Sequence, residues 1–142
     1  MSFESFRIYY PKSKAEMKRW AKEYGMNAYY SGKHWSLRKQ DAEYWHLLTR
    51  SAINKQELRR TPFEKPVEIS FLWNDRLDID NHAIMGKMIV DAMKGRLIND
   101  DNRKWLKGVC HYFHDEDYIL IQIRELEDKR TTEKIQRKNK EG

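Results

Sequence analysis

Two rhythms of apolar and polar residues divide the chain. Val67, Ile69, Phe71 and Trp73 alternate with Glu68 and Ser70, which predicts a half-buried strand, because successive side chains of extended backbone point to opposite faces. Phe6 to Tyr10 reads as a shorter strand, stopped by Pro11, which has no N–H to give a ladder. Trp105 to Phe113 and Tyr118 to Leu126 read as two more, and the polar tetrapeptide His114-Asp115-Glu116-Asp117 predicts an antiparallel hairpin between them. Period two also continues beyond Trp73. Leu77 and Ile79 point one way, so Asp78 and Asp80 point the other.

The second rhythm is helical. Met17, Trp20, Ala21 and Tyr24 share a face behind a Ser13/Glu16 capping box, with Gly25 as the stop. A second helix is predicted from Ser36 to about Asn54, with Leu37, Asp41, Tyr44 and Leu48 on one face and Trp45 and Ala52 beside it. A third starts at a capping Asn81 and reaches about Lys94, buried through Ile84, Met85, Met88, Ile89, Ala92 and Met93 and ended by Gly95. Residues 26–35 show no period and predict a loop. The sum is an α+β domain over residues 1–126, a small mixed sheet packed by three helices. A polar, cation-rich segment, 127–142, follows and reads as a flexible tail.

Composition narrows the class. At 142 residues and 17.3 kDa there is room for one domain, and 39% hydrophobic residues supply a modest core. Apolar runs such as Ile119-Leu120-Ile121 fall far short of the ~20 residues that cross a bilayer, and Met1 to Tyr10 holds no signal-peptide core. A protein of the cytoplasm, without a membrane partner, is the expectation. The single Cys110 excludes an internal disulfide and a CxxC site. A zinc site of Cys110, His111 and His114 fits poorly, because on one strand His111 and His114 face opposite sides.

Charge is distributed unevenly. The net is +6, favouring a polyanionic partner. Residues 75–101 nevertheless hold six Asp against Arg76, Lys87, Lys94 and Arg96, which leaves the remainder at +8. Asp78 and Asp80 on extended backbone would lie about 6.5 Å apart on one face. Asn99-Asp100-Asp101, just past the third helix, could fold back toward them. Two carboxylates ~4 Å apart repel by about 4 kcal/mol at an effective dielectric near 20, so a convergent trio needs a cation. Mg²⁺ suits oxygen ligands completed by water and phosphate, with Mn²⁺ a substitute. The competing reading of the same residues is two solvated acidic turns.

The ordered run Arg76-Leu77-Asp78-Ile79-Asp80-Asn81, then Lys87, then Asp91-Ala92-Met93-Lys94-Gly95, then Asp100-Asp101-Asn102 resembles the RusA-type Holliday junction resolvases. Their signature is an RxDxDN strand end, a helix with a lysine and a DAL-like end before Gly, and a DD pair. The resemblance implies Asp78, Asp80 and Asp101 as metal ligands and Lys87 as the catalytic lysine. Lys87 departs from the pattern: the family's lysine stands one helical turn earlier, where this chain has Ile84. Lys87 also has an alternative use, an ion pair with Asp91 one turn on. His82 is a further candidate phosphate donor, or a satisfied helix-start residue.

What the resemblance implies as a whole is a Mg²⁺-dependent endodeoxyribonuclease that cuts four-way junctions in recombination and repair. It further implies a homodimer acting on branched DNA and a phage, prophage or bacterial setting. Lys33, Arg38 and Lys39, beside Tyr30 and Trp35, and Arg76 in the motif are the expected DNA contacts, with exposed aromatics available to unstacked bases. Trp35 fits a core position as well. The alternative function is a noncatalytic nucleic-acid-binding protein with a degenerate acidic site.

Overall fold

The computed structural model describes residues 2–127; the expected basic tail, from 128 onward, lies outside the described residues. Four strands, Phe3–Tyr9 (β1), Val67–Trp73 (β2), Leu106–Phe113 (β3) and Tyr118–Glu125 (β4), form one mixed sheet in the order β1-β4-β2-β3. Four helices accompany it: Lys14–Tyr24 (α1), Met26–Tyr30 (α2), Trp35–Lys55 (α3) and Ala83–Met93 (α4). The α+β class stands as expected, with one helix more than the period predicted. α2 is that addition, a short helix in the stretch expected to be a loop.

The alternation in β2 is obeyed without exception: Val67, Ile69, Phe71 and Trp73 are buried and the residues between them half-buried. Ile119, Ile121 and Ile123 of β4 and Phe6 and Ile8 of β1 join the same buried layer, against Trp20, Trp45, Ile53, Met85 and Ile89 from the helices. Burying one such side chain stabilises by about 1.5–3 kcal/mol, so this face fixes the register of the sheet.

The predicted β3–β4 hairpin does not form. β3 pairs in parallel with β2, while β4 inserts between β1 and β2, antiparallel to both. Burial explains the choice. Three fully buried isoleucines suit β4 to an interior position, whereas β3 leaves Lys107, Val109, Tyr112 and Phe113 exposed and suits an edge. The turn after β3 therefore arches over the end of β2, with His114 N–H bonding Trp73 O at 3.0 Å and Asn74 Nδ2 donating to Glu116 O at 2.8 Å.

The other edge is closed by a side chain. Gln56, just after α3, accepts from Arg7 N at 2.8 Å and donates to Arg7 O at 2.7 Å, standing in for a neighbouring strand. On α3, Asp41, Trp45, Thr49, Ala52 and Ile53 face inward, while Leu37 and Tyr44, expected on the apolar face, are exposed. Helix α4 approaches the sheet at Gly86, where a Cβ would lie 3.0 Å from His111 Cε1 and 3.5 Å from Phe71 Cε2. Gly86→Val is accordingly expected to destabilise by about 1–3 kcal/mol through overpacking; an unchanged urea midpoint would contradict this packing.

Candidate functional site

β2 and β3 run in parallel, so both end at the same pole of the sheet, where β1 finishes and β4 begins. The chain leaving β2 here carries the acidic run. It does not stay extended: after Asn74 the backbone turns, and Ile79–His82 closes a single 3-10 turn leading into α4. Asp78 is extended (φ -61, ψ 153) and Asp80 lies inside the turn, so strict alternation is not what places them. Asn81 does not cap the helix; its N–H bonds Asp78 O at 3.0 Å.

The agent that bends this segment is Asp75. Its carboxylate accepts from Leu77 N at 3.0 Å and from Tyr10 Oη at 2.8 Å, and its two oxygens lie 2.8 and 2.9 Å from His82 Nε2. His82 is fully buried, and its other nitrogen is 3.0 Å from Ile79 O. Both ring nitrogens thus face oxygen acceptors. Tyr10 Oη also accepts from Asn74 N at 2.8 Å. Burial first, and Asp75 second, push the Tyr10 phenol far up, so it stays a donor. The sequence offers His82 as a phosphate donor or a helix-start residue and does not show the knot; an Asp seven residues before a His in an apolar setting is its only trace.

Beside this knot Asp78 and Asp80 are exposed, and among the described residues neither carboxylate has a side-chain partner. Arg76 is exposed as well. One acid is consumed in shaping the loop, and the next two are presented to solvent.

The remaining acids lie at the other end of α4, a helix of 11 residues and so about 16 Å long. Lys87 sits midway, with its side chain 71% exposed and Nζ 3.7 Å from Asp91 Oδ1, the one-turn ion pair that sequence spacing offered as its alternative use. Lys94 bridges Asp91 at 3.2 Å and Asp101 at 3.3 Å. Partial burial pushes the Asp101 carboxyl up, but hydrogen bonds from Lys94 and with Asp100 outweigh it and hold the group below its ordinary range.

Asp101 therefore does not fold back toward β2's end. The parallel pairing of β3 with β2 obliges the chain to return to the opposite pole first, carrying Asp100 and Asp101 there. Among the described residues no three His, Cys, Asp or Glu side chains gather within reach of one metal ion. Lys87 and Asp91 pair along α4 instead, with Asp80 in the turn before it.

The expected DNA contacts divide similarly. Lys33 is committed to the fold: its side chain is 12% exposed, its Nζ lies 2.5 Å from Asp41 and donates to Glu23 O at 2.8 Å. Tyr29 Oη donates to the same Asp41 at 2.5 Å, and burial pushes that phenol up. Arg38 is exposed but bound to Lys33 O and Tyr29 O at 2.8 and 3.4 Å. Lys39 is exposed, as are Tyr30 and Trp35, so Trp35 takes no part in the core.

Behind the site, Trp73 Nε1 donates to His111 Nδ1 at 3.0 Å, which requires a neutral His111 ring. Burial first, and His82 second, push its pKa below the ordinary value. A depressed histidine pKa means the unfolded chain takes the proton more readily. Its stabilising contribution is complete above the unfolded value of about 6.5 and is lost as pH falls below it. Melting temperature should drop between about pH 6.5 and pH 5, and His111→Gln, which keeps an acceptor for Trp73, should flatten that drop. Parallel slopes for the two proteins would refute the assignment.

The chain matches no protein-family model and no curated protein. No helix among the described residues is long and apolar enough to cross a membrane.

Proposed function

We propose that the protein is a Mg²⁺-dependent endodeoxyribonuclease of RusA type acting on four-way DNA junctions, with Asp78 and Asp80 as the metal-binding pair. The observation that carries this reading is the presentation of these two carboxylates. They stand exposed and, among the described residues, without side-chain partners just past the end of β2, on a loop that Asp75 and His82 hold from behind. Mg²⁺ is commonly held by one or two carboxylates, water and substrate phosphate, so the pair fits it; Mn²⁺ fits the same oxygens. Bound there, the metal would polarise phosphate and lower the pKa of an attacking water. Arg76 and Lys87, exposed on either side of the pair in sequence, supply positive charge for phosphate oxygens.

Asp101, at the far end of α4, joins the pair most simply from a second copy. A homodimer is also what two symmetry-related cuts on a junction call for. The test is a labelled synthetic junction with purified protein: paired symmetric nicks that need Mg²⁺, with little cutting of linear duplex, are the expected result. Binding without nicks in Mg²⁺ or Mn²⁺ would reverse the reading toward a noncatalytic DNA-binding protein, which the separation of the acids within one chain favours.

A further inference from the structure

We infer that Tyr30 and Trp35 form a rigid stacking platform for unpaired DNA bases beside the acidic turn. They are the two most exposed aromatic side chains among the described residues, at 83% and 70%. One ends α2 and the other begins α3, and the turn between them is tightly bonded. Ser31 Oγ donates to Asn27 O at 2.8 Å, Lys33 Nζ to Glu23 O at 2.8 Å, and Arg38 Nε to Lys33 O at 2.8 Å. Lys33 and Arg38, expected to touch DNA themselves, thus fix the segment that displays the rings.

Location gives the platform its partner. Helix α2 packs directly on the 3-10 turn that holds Asp80, and Gly25 at its start lets Leu77 come within 3.1 Å of where a Cβ would be. A base stacked at Tyr30 or Trp35 therefore belongs to a nucleotide close to Asp78 and Asp80. Arg38 and Lys39 are exposed on the first turn and a half of α3, next to Trp35, where they can meet the flanking phosphates. Aromatic faces with cations alongside bind single strands with little regard to sequence, since every base has a π-face, whereas a paired base in a duplex keeps its faces stacked. A branch point offers such unpaired bases. The assignment rests on the acidic turn being where DNA is cut.

The test is kept apart from cleavage by working in EDTA. Binding of the full chain to a single-stranded oligothymidylate and to a duplex of equal length is measured by anisotropy, with tryptophan fluorescence read alongside. Trp35→Ala is expected to weaken single-strand binding about tenfold and the Tyr30→Ala/Trp35→Ala pair further, while duplex binding stays within about twofold. Trp35→Phe, which keeps a stacking ring, should remain within about threefold of wild type, and wild-type tryptophan emission should be quenched on binding. Single-strand binding by Trp35→Ala at wild-type affinity, equal losses on both DNAs, or a wild-type protein that prefers duplex would each overturn the platform. Nicking of the junction in Mg²⁺ separates the two readings: a protein that never nicks but needs Trp35 to bind the oligonucleotide refutes the nuclease alone. One that nicks with Trp35 dispensable refutes the platform alone.

Discussion

Asp75→Ala should destabilise the protein by about 3–5 kcal/mol, because it leaves three donors around a buried site without their acceptor, each such loss costing about 1–3 kcal/mol. The substitution leaves a fully buried His82 ring facing no carboxylate and strips Tyr10 Oη and Leu77 N of their acceptor. Against a total of about 5–15 kcal/mol for a domain, that is a large share. Asp78→Asn and Asp80→Asn, at exposed positions, should stay within about 0.5 kcal/mol. Urea unfolding followed by circular dichroism checks both halves. A wild-type midpoint for Asp75→Ala would mean that the knot does not hold the loop.

Asp80→Asn should in turn abolish most catalysis while sparing recognition. Losing a group that merely supports a metal ligand lowers affinity or activity 10–100-fold, so losing a ligand is expected to cut Mg²⁺-dependent junction nicking at least ~100-fold. Junction affinity in EDTA should remain within about threefold, or improve, because an anion facing phosphate has gone. The composite arrangement adds a sharper requirement. If Asp101 serves a neighbouring copy, mixing inactive Asp80→Asn and Asp101→Asn proteins restores one intact site per mixed dimer, and nicking returns. Failure of that mixture with folded, dimerising proteins would exclude the shared site.

Much of this molecule can be read from local periodicity. The burial of β2, the Ser13 cap of α1, which accepts from Glu16 N at 3.1 Å, and the apolar side of α4 all follow from neighbours within a turn or two. What escaped is non-local. Nothing in residues 105–126 says that β4 pairs with β1, more than a hundred positions earlier, and short spacing favours the hairpin that the isoleucine ladder overrides. The same crossover sends Asp101 away from Asp80. The loop geometry was hidden because Asp75 looks like any solvated acid until Tyr10 arrives beside it. Lys33 misled for a related reason: its partner Asp41 sits on the following helix, and a cation flanked by aromatics reads the same whether buried or free.

The sheet order also dictates a timetable for synthesis. Among the described residues the only strand beside β1 is β4, which is also the last of the four in chain order, so the N-terminal segment stays without a berth until Tyr118–Glu125 has emerged. Tyr10 reaches Asp75 only then. A nascent chain stalled before residue 118 holds every acidic residue of the candidate site but lacks the strand that joins β1 to the rest of the sheet.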